Sequence, residues 1–257
     1  MNRIESKDNQ KIKRLKSLDK RKVRENENLF FIEGKKLIDE AFKSGITITE
    51  IYVSDTYYQN NMSYVDKLKC KDIYLIRDGI LDSLSYMSSP EGILGLGRPM
   101  KWDIFDVIKK GLPVIIFDRI NDPKNAGTMV RSAEAFGIGC VFALEGCTDL
   151  YNEKAIRASM GSLFRMPYIK ISDDVFNILR KAEYDIYGLD ANGENIESAK
   201  LHKKCAIIVG NESTGLDKFI KKHLTKILSI PMQGQVESLN AACAAGIVMY
   251  KISLLWF

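Results

Sequence analysis

The sequence predicts an α/β protein of two domains, and three observations support that prediction. Strand-like and helix-like segments alternate along most of its 257 residues. In the second half, the strand-like segments are mostly continuous runs of β-branched and apolar residues, which is typical of a largely parallel sheet covered on both faces. Five of the ten positions from Pro90 to Pro99 are proline or glycine, which predicts a boundary near residue 100. We therefore expect a small α/β domain over residues 1–100 and a second domain over residues 101–257.

The first 24 residues form a strongly basic segment. They contain ten Lys and Arg residues and three acidic ones, a net charge of +7, so the rest of the chain sums to −2 within the total of +5. Apolar residues at positions 4, 12, 15, 18 and 23 recur at roughly helical spacing, which predicts an amphipathic helix. The basic face of this helix is either a solvated surface or one that contacts nucleic-acid phosphates, for which Lys11, Lys13, Arg14 and Lys16 are the candidates.

The remainder of the first domain also alternates between strands and helices. Strand-like patterns cover residues 29–32, 48–53 and 73–76, and helical patterns cover residues 35–43 and 78–84. Residues 92–96, inside the glycine-rich stretch, are expected to form an edge strand of the same domain.

The second domain shows the more regular alternation. Strands are expected at residues 114–117, 141–144, 168–171, 186–189, 206–209 and 227–230, and helices at residues 126–136, 153–160, 174–182, 216–223 and 239–254. From Leu239 to Met249 every residue except Asn240 is apolar or glycine, which predicts a helix that is buried all round. Ligands of such sheets bind beyond the carboxyl ends of strands, so the relevant residues follow Phe117, Leu189, Val209 and Ile230.

Composition and local pattern exclude several classes of protein. No apolar stretch approaches the roughly 18 residues of a membrane-spanning helix, and the N-terminus lacks the pattern of a secretory signal. The five cysteines are odd in number and contain no CxxC pair, so we expect reduced, mostly buried thiols in a cytoplasmic protein. The two histidines are isolated and no cluster of metal ligands is visible, so no metal cofactor is expected.

The first polar segment of interest runs from Asp118 to Arg131 and leads from a strand into a helix. Asn125 is expected to cap that helix, Gly127 permits close approach of a backbone, and Arg131 projects from about the second turn. A helix N-terminus with a nearby guanidinium suits a phosphate or a developing oxyanion. The alternative is an ordinary capped helix with one surface arginine.

Two further polar segments follow strand-like runs. Gly210 ends a buried strand and begins a loop with Glu212 and Gly215, which is alternatively a plain turn with an exposed carboxylate. Ser238 and Asn240 lie at the mouth of the C-terminal helix, where capping explains one of them and a ligand or partner chain would explain the other. Neither a GxxxxGK(S/T) loop nor a first strand followed by GxGxxG is present, which argues against the usual nucleotide-binding folds.

Together the three segments resemble the three motifs of the SpoU (TrmH-like) family in the SPOUT superfamily of RNA methyltransferases. In chain order, the matching positions are Asn125-Ala-Gly127 with Arg131, Gly210-Asn-Glu212 with Gly215-Leu216, and Ile230-Pro-Met232 with Ser238-Leu-Asn240. Residues 157–161 are similar to a further family segment, and the motifs span about residues 113–254. The N-terminal part is more loosely similar to the family's substrate-binding extension, a ribosomal-protein-like α/β domain.

The resemblance implies an S-adenosylmethionine-dependent enzyme that methylates a ribose 2′-hydroxyl in RNA. It also implies a C-terminal SPOUT-type domain with a deep trefoil knot that works as a homodimer. By their places in the motifs, the expected cofactor-binding residues are Gly210, Ile230, Leu239, Leu189 and Met232. The residues expected around the reacting hydroxyl are Arg131, Asn125, Glu212, Ser238 and Asn240.

The chemistry of the side chains narrows these roles. Arginine stays protonated in proteins, so Arg131 is expected to stabilise a developing alkoxide or to anchor the adjacent phosphate, not to act as a general base. Glu212 is expected to orient Arg131 or to accept the proton through water. We favour ribosomal RNA as substrate because of the separate N-terminal domain. The alternatives are methylation of transfer RNA, or a non-catalytic RNA-binding or ribosome-assembly role.

Overall fold

The chain folds into two compact units in a computed structural model that describes residues 1–256. The first unit contains Met1–Met100 together with Tyr151–Phe164, and the second contains Lys101–Leu150 and the chain from Arg165 onward. The sequence interpretation instead ran the second domain unbroken from residue 101. Residues 151–164 pack with the first unit through aromatic contacts, in which the ring of Phe30 lies 4.9 Å from that of Tyr151 and 5.8 Å from that of Phe164.

The first unit is built on a five-stranded sheet. Its elements up to residue 100 are β1 (Asn2–Ile4), α1 (Gln10–Ser17), α2 (Arg21–Glu27), β2 (Phe30–Glu33), α3 (Lys35–Lys43), β3 (Ile48–Ser54), α4 (Asp55–Val65), β4 (Asp72–Ile76), α5 (Asp78–Asp82) and β5 (Ile93–Gly97). The strand order is β1-β4-β3-β5-β2. β5 runs antiparallel to both β2 and β3, so the edge position expected for residues 92–96 is wrong. All five residues of β5 are buried, which suits a strand that is paired on both sides.

The basic N-terminal segment forms two helices and not one. α1 ends at Ser17, and the chain turns before α2 begins at Arg21. The buried guanidinium of Arg24 donates to the carbonyl oxygens of Leu18 (2.7 Å) and Asp19 (2.6 Å), which satisfies acceptors that the end of a helix leaves without a partner. The apolar side chains of α1 are buried in the core of the first unit, as the helical spacing predicts.

The second unit is built on a six-stranded sheet in which every strand pair is parallel. In chain order its elements are α6 (Ile104–Lys109), β6 (Val114–Phe117), α7 (Pro123–Ala135) and β7 (Cys140–Ala143); then, after α8 (Glu153–Ser159) of the first unit, β8 (Tyr168–Lys170), α9 (Val175–Lys181), β9 (Asp185–Asn195), β10 (Cys205–Val209), α10 (Lys218–Lys221), β11 (Lys226–Ser229) and α11 (Ala241–Ser253). The order is β11-β9-β10-β6-β7-β8. The predicted parallel α/β architecture is confirmed.

Helix α11 is buried on one face only, so the prediction of a helix buried all round is wrong. Ala245, Val248 and Ile252 are fully buried, and the helix packs against α7 and β10. On the opposite face, the exposed fractions are 41% for Ile247 and 52% for Tyr250. The prediction failed because both faces of the helix are apolar in sequence, but other elements of the chain cover only one of them.

The cysteines form no disulfide among the described residues. Cys140, Cys147 and Cys205 are buried, Cys70 is partly buried and Cys243 is exposed. Burial raises the pKa of the Cys205 thiol to about 12, so this thiol stays protonated near neutral pH. Within residues 1–256, no helix has the length and apolar character to cross a membrane, and no group of three or more potential ligands could hold a metal ion.

Candidate functional site

A cavity of about 370 Å³ lies in the second unit, beside residues 189–191 of β9 and the segments that follow β10 and β11. β9 continues to Asn195, so the strand end predicted at Leu189 is wrong, although Leu189 does line the cavity. Its apolar part is lined by Leu189, Ile230, Met232 and Leu239. Its polar part is the loop from Gly210 to Gly215, with Ser238 close by. The cavity therefore brings together all five residues that the motif resemblance predicts for cofactor binding.

The loop after β10 requires glycine at its first position. A Cβ atom on Gly210 would lie 2.5 Å from the carbonyl carbon of Gly215 and 2.5 Å from the nitrogen of Leu216. Gly215 has a φ of +66°, which favours glycine, and its N–H donates to the carbonyl oxygen of Asn211 at 2.9 Å. The backbone thus folds back on itself at the cavity wall, and a side chain at position 210 would force the wall open.

Glu212 lies at the tip of this loop and joins it to the segment after β6. Its carboxylate accepts hydrogen bonds from the N–H groups of Asn121 (3.3 Å) and Asp122 (3.2 Å) and from the amide of Asn125 (3.2 Å). Burial alone would raise the pKa of Glu212, but these hydrogen bonds to the charged form outweigh burial and lower it. The carboxylate is therefore ionised at neutral pH and accepts hydrogen bonds at both of its oxygens.

Asn125 does not cap α7 as predicted, because Asp122 holds that position. The Asp122 carboxylate accepts from the N–H of Lys124 at 2.8 Å. This leaves the Asn125 side chain within the first turn, where its oxygen accepts from the Asn240 amide at 3.0 Å. The Asn240 side-chain oxygen in turn caps α11 by accepting from Ala242 (2.9 Å) and Cys243 (3.2 Å). Asn240 therefore both caps its helix and contacts the other motif.

Arg131 stands apart from this network. It is exposed on α7, six residues beyond Asn125 and thus about 9 Å farther along the helix axis. Among residues 1–256 the Arg131 guanidinium has no hydrogen-bond or ion-pair partner, and the Glu212 carboxylate is occupied by other donors. The orienting contact between Glu212 and Arg131 that we considered from the sequence is not formed. Ser238 is exposed at the cavity rim.

Two residues that the sequence interpretation passed over hold the motif loops together. The Asp118 carboxylate is 2% exposed and accepts from Nε and Nη2 of Arg119 at 2.8 and 3.0 Å. Arg119 also donates to Thr214 Oγ1 (3.2 Å) and to the carbonyl oxygen of Gly215 (3.0 Å). The sequence does show a charged pair directly after a buried strand, which could have pointed to these residues. Their partners in the loop after β10, however, lie almost 100 positions away in the chain.

The four predicted RNA-binding residues of α1 divide into two pairs. Arg14 donates to Glu27 (2.6 Å) and Glu50 (2.8 Å), and Lys11 lies 3.4 Å from Glu50 and 4.5 Å from the ring centre of Tyr74. Lys13 and Lys16 are exposed instead. Lys13 makes a solvent-exposed contact of 3.5 Å with Asp8, and Lys16 has no ion pair within the described part of the chain.

The Glu50 carboxylate is the centre of the first pair. Its side chain is 11% exposed, and Tyr52 Oη donates to it in addition to the two basic residues. Burial would raise the pKa of Glu50, but the hydrogen bonds from Tyr52 and Arg14 and the charge of Lys11 lower it. The positive charges of Lys11 and Arg14 are thus largely neutralised within the first unit.

Comparison with known proteins gives matches to both units. Residues 113–250 match the model of the SpoU rRNA Methylase family, and residues 9–95 match that of the MRM3-like substrate binding domain. A relative from Bacillus subtilis (strain 168), the 23S rRNA (guanosine(2553)-2′-O)-methyltransferase RlmP, is 32% identical over 255 residues. That alignment covers 98% of this chain and 99% of the relative.

Two solved structures share the fold. An AdoMet-bound rRNA methyltransferase from Sinorhizobium meliloti has a TM-score of 0.85 and 22% identity, covering 100% of this chain and 98% of that one. The SpoU methyltransferase AviRb from Streptomyces viridochromogenes, in complex with AdoMet, has a TM-score of 0.85 and 23% identity, covering 96% of this chain and 98% of that one. At these identities the likeness concerns the fold.

Proposed function

The chain belongs to the SpoU rRNA methylase family, and we propose that it transfers a methyl group from S-adenosylmethionine to the ribose 2′-hydroxyl of a guanosine in 23S ribosomal RNA. As a member of this family it is an RNA methyltransferase. The choice of 23S ribosomal RNA rests on the Bacillus relative, because that alignment runs through both units from end to end. We place the reaction in the cytoplasm, where ribosomal RNA and reduced thiols are found together.

One observation supports this function above the others. The cavity beside residues 189–191 of β9 and the carboxyl ends of β10 and β11 gathers the predicted cofactor residues, and the Glu212–Asn125–Asn240 network lies next to it. Parallel α/β sheets bind their ligands at this end of the strands. A volume of about 370 Å³ falls in the range of small-molecule sites, roughly 300–1,000 Å³.

The chemistry of the lining fits S-adenosylmethionine. Leu189, Ile230 and Leu239 offer apolar surface for an adenine ring, and the backbone groups of the loop from Gly210 to Gly215 offer donors and acceptors. When bound, S-adenosylmethionine supplies an activated methyl group on a sulfonium. The enzyme's own side chains then need only to hold the 2′-hydroxyl in line with that group and to stabilise the oxygen as its proton leaves.

We assign the alignment of the substrate to the asparagine network. Asn125 and Asn240 join the N-terminal turns of α7 and α11, and Glu212 fixes Asn125 in place. A carboxylate with three donors and a lowered pKa is a weak proton acceptor, so Glu212 acts here by positioning and not as a base. Ser238 at the rim supplies a hydroxyl that can donate to or accept from the substrate.

We assign electrostatic stabilisation to Arg131. A guanidinium stays charged at every physiological pH, so it lowers the energy of a developing alkoxide or holds the neighbouring phosphate without taking a proton. Its exposure and its lack of a partner within residues 1–256 leave the charge available for RNA. Removal of a preorganised donor of this type typically costs about 10²–10³ in rate.

We further propose that two copies pair through the exposed face of α11. Ile247, Tyr250 and Leu254 form an apolar stripe on that face, and stripes of this kind on a folded chain mark interaction sites. The trefoil knot implied by the family resemblance is also part of this proposal. It rests on membership of the SpoU rRNA methylase family and not on the strand order.

The test is a methyl-transfer assay with the purified full chain. Unmodified transcripts of 23S ribosomal RNA, 16S ribosomal RNA and bulk transfer RNA are incubated with S-adenosylmethionine labelled in its methyl group. The proposal predicts label in 23S ribosomal RNA, at one ribose that resists alkaline cleavage, with none added by Arg131→Ala. Label only in transfer RNA would replace the substrate, and no label in any RNA would contradict the proposed function.

A further inference from the structure

Arg119 is unusual in its backbone conformation and in the number of its contacts. It follows β6 with a φ of +53°, a left-handed value that few residues other than glycine adopt. Its side chain turns toward the loop after β10 and contacts two residues of that loop, 95 and 96 positions further along the chain. The fold thus tolerates an unfavourable backbone conformation at a residue whose side chain joins two motif loops.

The guanidinium of Arg119 is used on three sides. Nε and Nη2 bind the two oxygens of the Asp118 carboxylate, Nη1 donates to Thr214 Oγ1, and Nη2 donates to the carbonyl oxygen of Gly215. The second Asp118 oxygen also accepts from the N–H of Asp217 at 3.0 Å. Asp118 and Arg119 together therefore hold residues 214, 215 and 217 from one side.

The backbone of Arg119 closes the ring of contacts. Its carbonyl oxygen accepts from Asn211 Nδ2 at 2.9 Å. The Asn211 side-chain oxygen accepts from the N–H groups of Ser213 and Thr214, both at 3.0 Å, and from Thr214 Oγ1 at 3.1 Å. Arg119 is thus linked to both ends of the 211–215 loop, and Asn211 ties the N–H groups of Ser213 and Thr214 to the same clamp.

We propose that Arg119 is a positioning residue that fixes the 211–215 loop, and through it the cavity wall and the Glu212 carboxylate. The inference rests on the proposed function, because the loop matters as the wall of a cofactor site. The nearly buried Asp118 keeps the guanidinium charged and in place, and hydrogen bonds to the Asp118 side chain raise the pKa of Arg119. Arg119 itself does not line the cavity, so it acts through the loop and not on the cofactor.

Substitution by glycine separates the side chain from the backbone. Arg119→Gly removes the guanidinium and suits a φ of +53°, so the turn itself is preserved. Arg119→Lys keeps the charge but offers a point donor in place of a planar fork, and is expected to rescue the loop only in part. Arg180→Ala is the matched control, because Arg180 is an exposed arginine of the same unit on α9, outside the cavity.

Two measurements read out the loop directly. Hydrogen–deuterium exchange reports the N–H groups of Ser213, Thr214 and Gly215, and calorimetry reports the affinity for S-adenosylhomocysteine. Arg119→Gly should accelerate exchange at these amides and weaken binding about tenfold, the loss expected for hydrogen bonds to a charged group. Arg119→Lys should give intermediate values, and Arg180→Ala should match the wild type in both.

A second variant keeps the test decisive if Arg119→Gly unfolds. Thr214→Val removes one loop partner and leaves the Asp118–Arg119 pair intact. On its own it should accelerate exchange at Thr214 and Gly215, and its effect on affinity should be non-additive with that of Arg119→Lys, since both weaken the same clamp. Unchanged exchange and affinity in Arg119→Gly, unchanged exchange in Thr214→Val, or full additivity with Arg119→Lys would overturn the proposal. Failure of the wild type to bind S-adenosylhomocysteine would instead count against the proposed function, while loop exchange would still test the clamp.

Discussion

The basic helix α1 and Arg131 on α7 differ in how their positive charges are used. In α1, Lys11 forms an ion pair with Glu50, and Arg14 forms ion pairs with Glu27 and Glu50, all within the first unit. On α7, Arg131 is exposed and has no ion-pair partner among residues 1–256. In the more basic segment, two of the four candidate cations are therefore paired with carboxylates. In the near-neutral second unit, by contrast, the Arg131 guanidinium is unpaired among the described residues.

Net charge along a sequence therefore does not locate the charge that is available for RNA. A basic side chain beside a buried carboxylate has its charge largely compensated and contributes little to the field outside. A basic side chain without a partner keeps its full capacity to meet a phosphate. Substitutions of these residues distinguish cations that are paired within the fold from cations that are available for RNA.

The largest effect is expected from Arg131. Arg131→Ala should lower the rate of methyl transfer by at least about 10². The affinity for S-adenosylhomocysteine should change by less than about twofold, because Arg131 does not line the cavity. Single-turnover transfer and calorimetry measure the two quantities separately. A large loss of cofactor affinity would mean that Arg131 contributes to cofactor binding, which contradicts the proposed role toward RNA.

The next effect concerns the apolar face of α11. Ile247→Glu should convert a dimer into monomers, because it puts a charge into an interface that would otherwise be dry. Sedimentation velocity measures the change in mass. Phe105→Glu is the control: Phe105 is 65% exposed on α6 of the same unit and should leave the assembly unchanged. A wild-type chain that sediments as a monomer at every concentration would contradict pairing through this face.

A smaller effect separates the two pairs within α1. Arg14→Ala removes two hydrogen bonds to carboxylates and exposes the charge of Glu50, so the free energy of unfolding should fall by about 1–3 kcal/mol. Lys16→Ala removes an exposed side chain and should change it by less than about 0.5 kcal/mol. Urea titration followed by circular dichroism measures both. Equal values would mean that the Glu50 contacts do not stabilise the fold.

The exposed pair of α1 should affect RNA and leave stability unchanged. Lys13→Gln with Lys16→Gln should reduce the slope of log affinity against log salt by roughly 1–2, as expected when two phosphate contacts are lost. Binding of 23S ribosomal RNA fragments at several salt concentrations gives this slope. An unchanged slope would return Lys13 and Lys16 to ordinary solvated surface and leave α1 without an RNA role.

The smallest effect is the pH dependence of the Glu212 loop. The pKa of Glu212 is lowered in the folded chain, so its hydrogen bonds stabilise the fold above the unfolded pKa of about 4.5. This contribution is lost as the pH falls below 4.5 and the carboxylate takes up a proton. At pH 7 the free energy of unfolding of the wild type should exceed that of Glu212→Gln by about 0.5–1 kcal/mol, a modest value because solvent screens the site. This difference should disappear as the pH falls below 4.5, and a difference that does not change with pH would contradict the assignment.

The sequence was sufficient to predict the parallel sheet and to predict which polar loops lie close together. Continuous apolar runs separated by helices have few other stable arrangements, and polar loops after such strands meet at one edge. This is why Gly210, Glu212, Ile230 and Leu239 all fall at one cavity.

The remainder depended on contacts between distant positions. Glu50 lies 36 residues beyond Arg14, and Thr214 lies 95 residues beyond Arg119, so neither pairing can be read from local spacing. The exposed face of α11 has a similar origin, because an apolar residue looks the same whether its own chain or a second copy covers it. Asp122 and Asn125 are both suitable N-caps for α7, and local sequence does not decide which of them occupies the position.

We propose above all that this chain methylates a ribose of ribosomal RNA and that the exposed guanidinium of Arg131 contributes to the transfer. The most direct measurement is a map of 2′-O-methylation across ribosomal and transfer RNA from cells without the protein, with the wild type restored, and with Arg131→Ala restored. We predict that one guanosine of 23S ribosomal RNA loses its methyl group in the deletion, regains it with the wild type, and stays unmethylated with Arg131→Ala. An identical map in all three strains would contradict the claim.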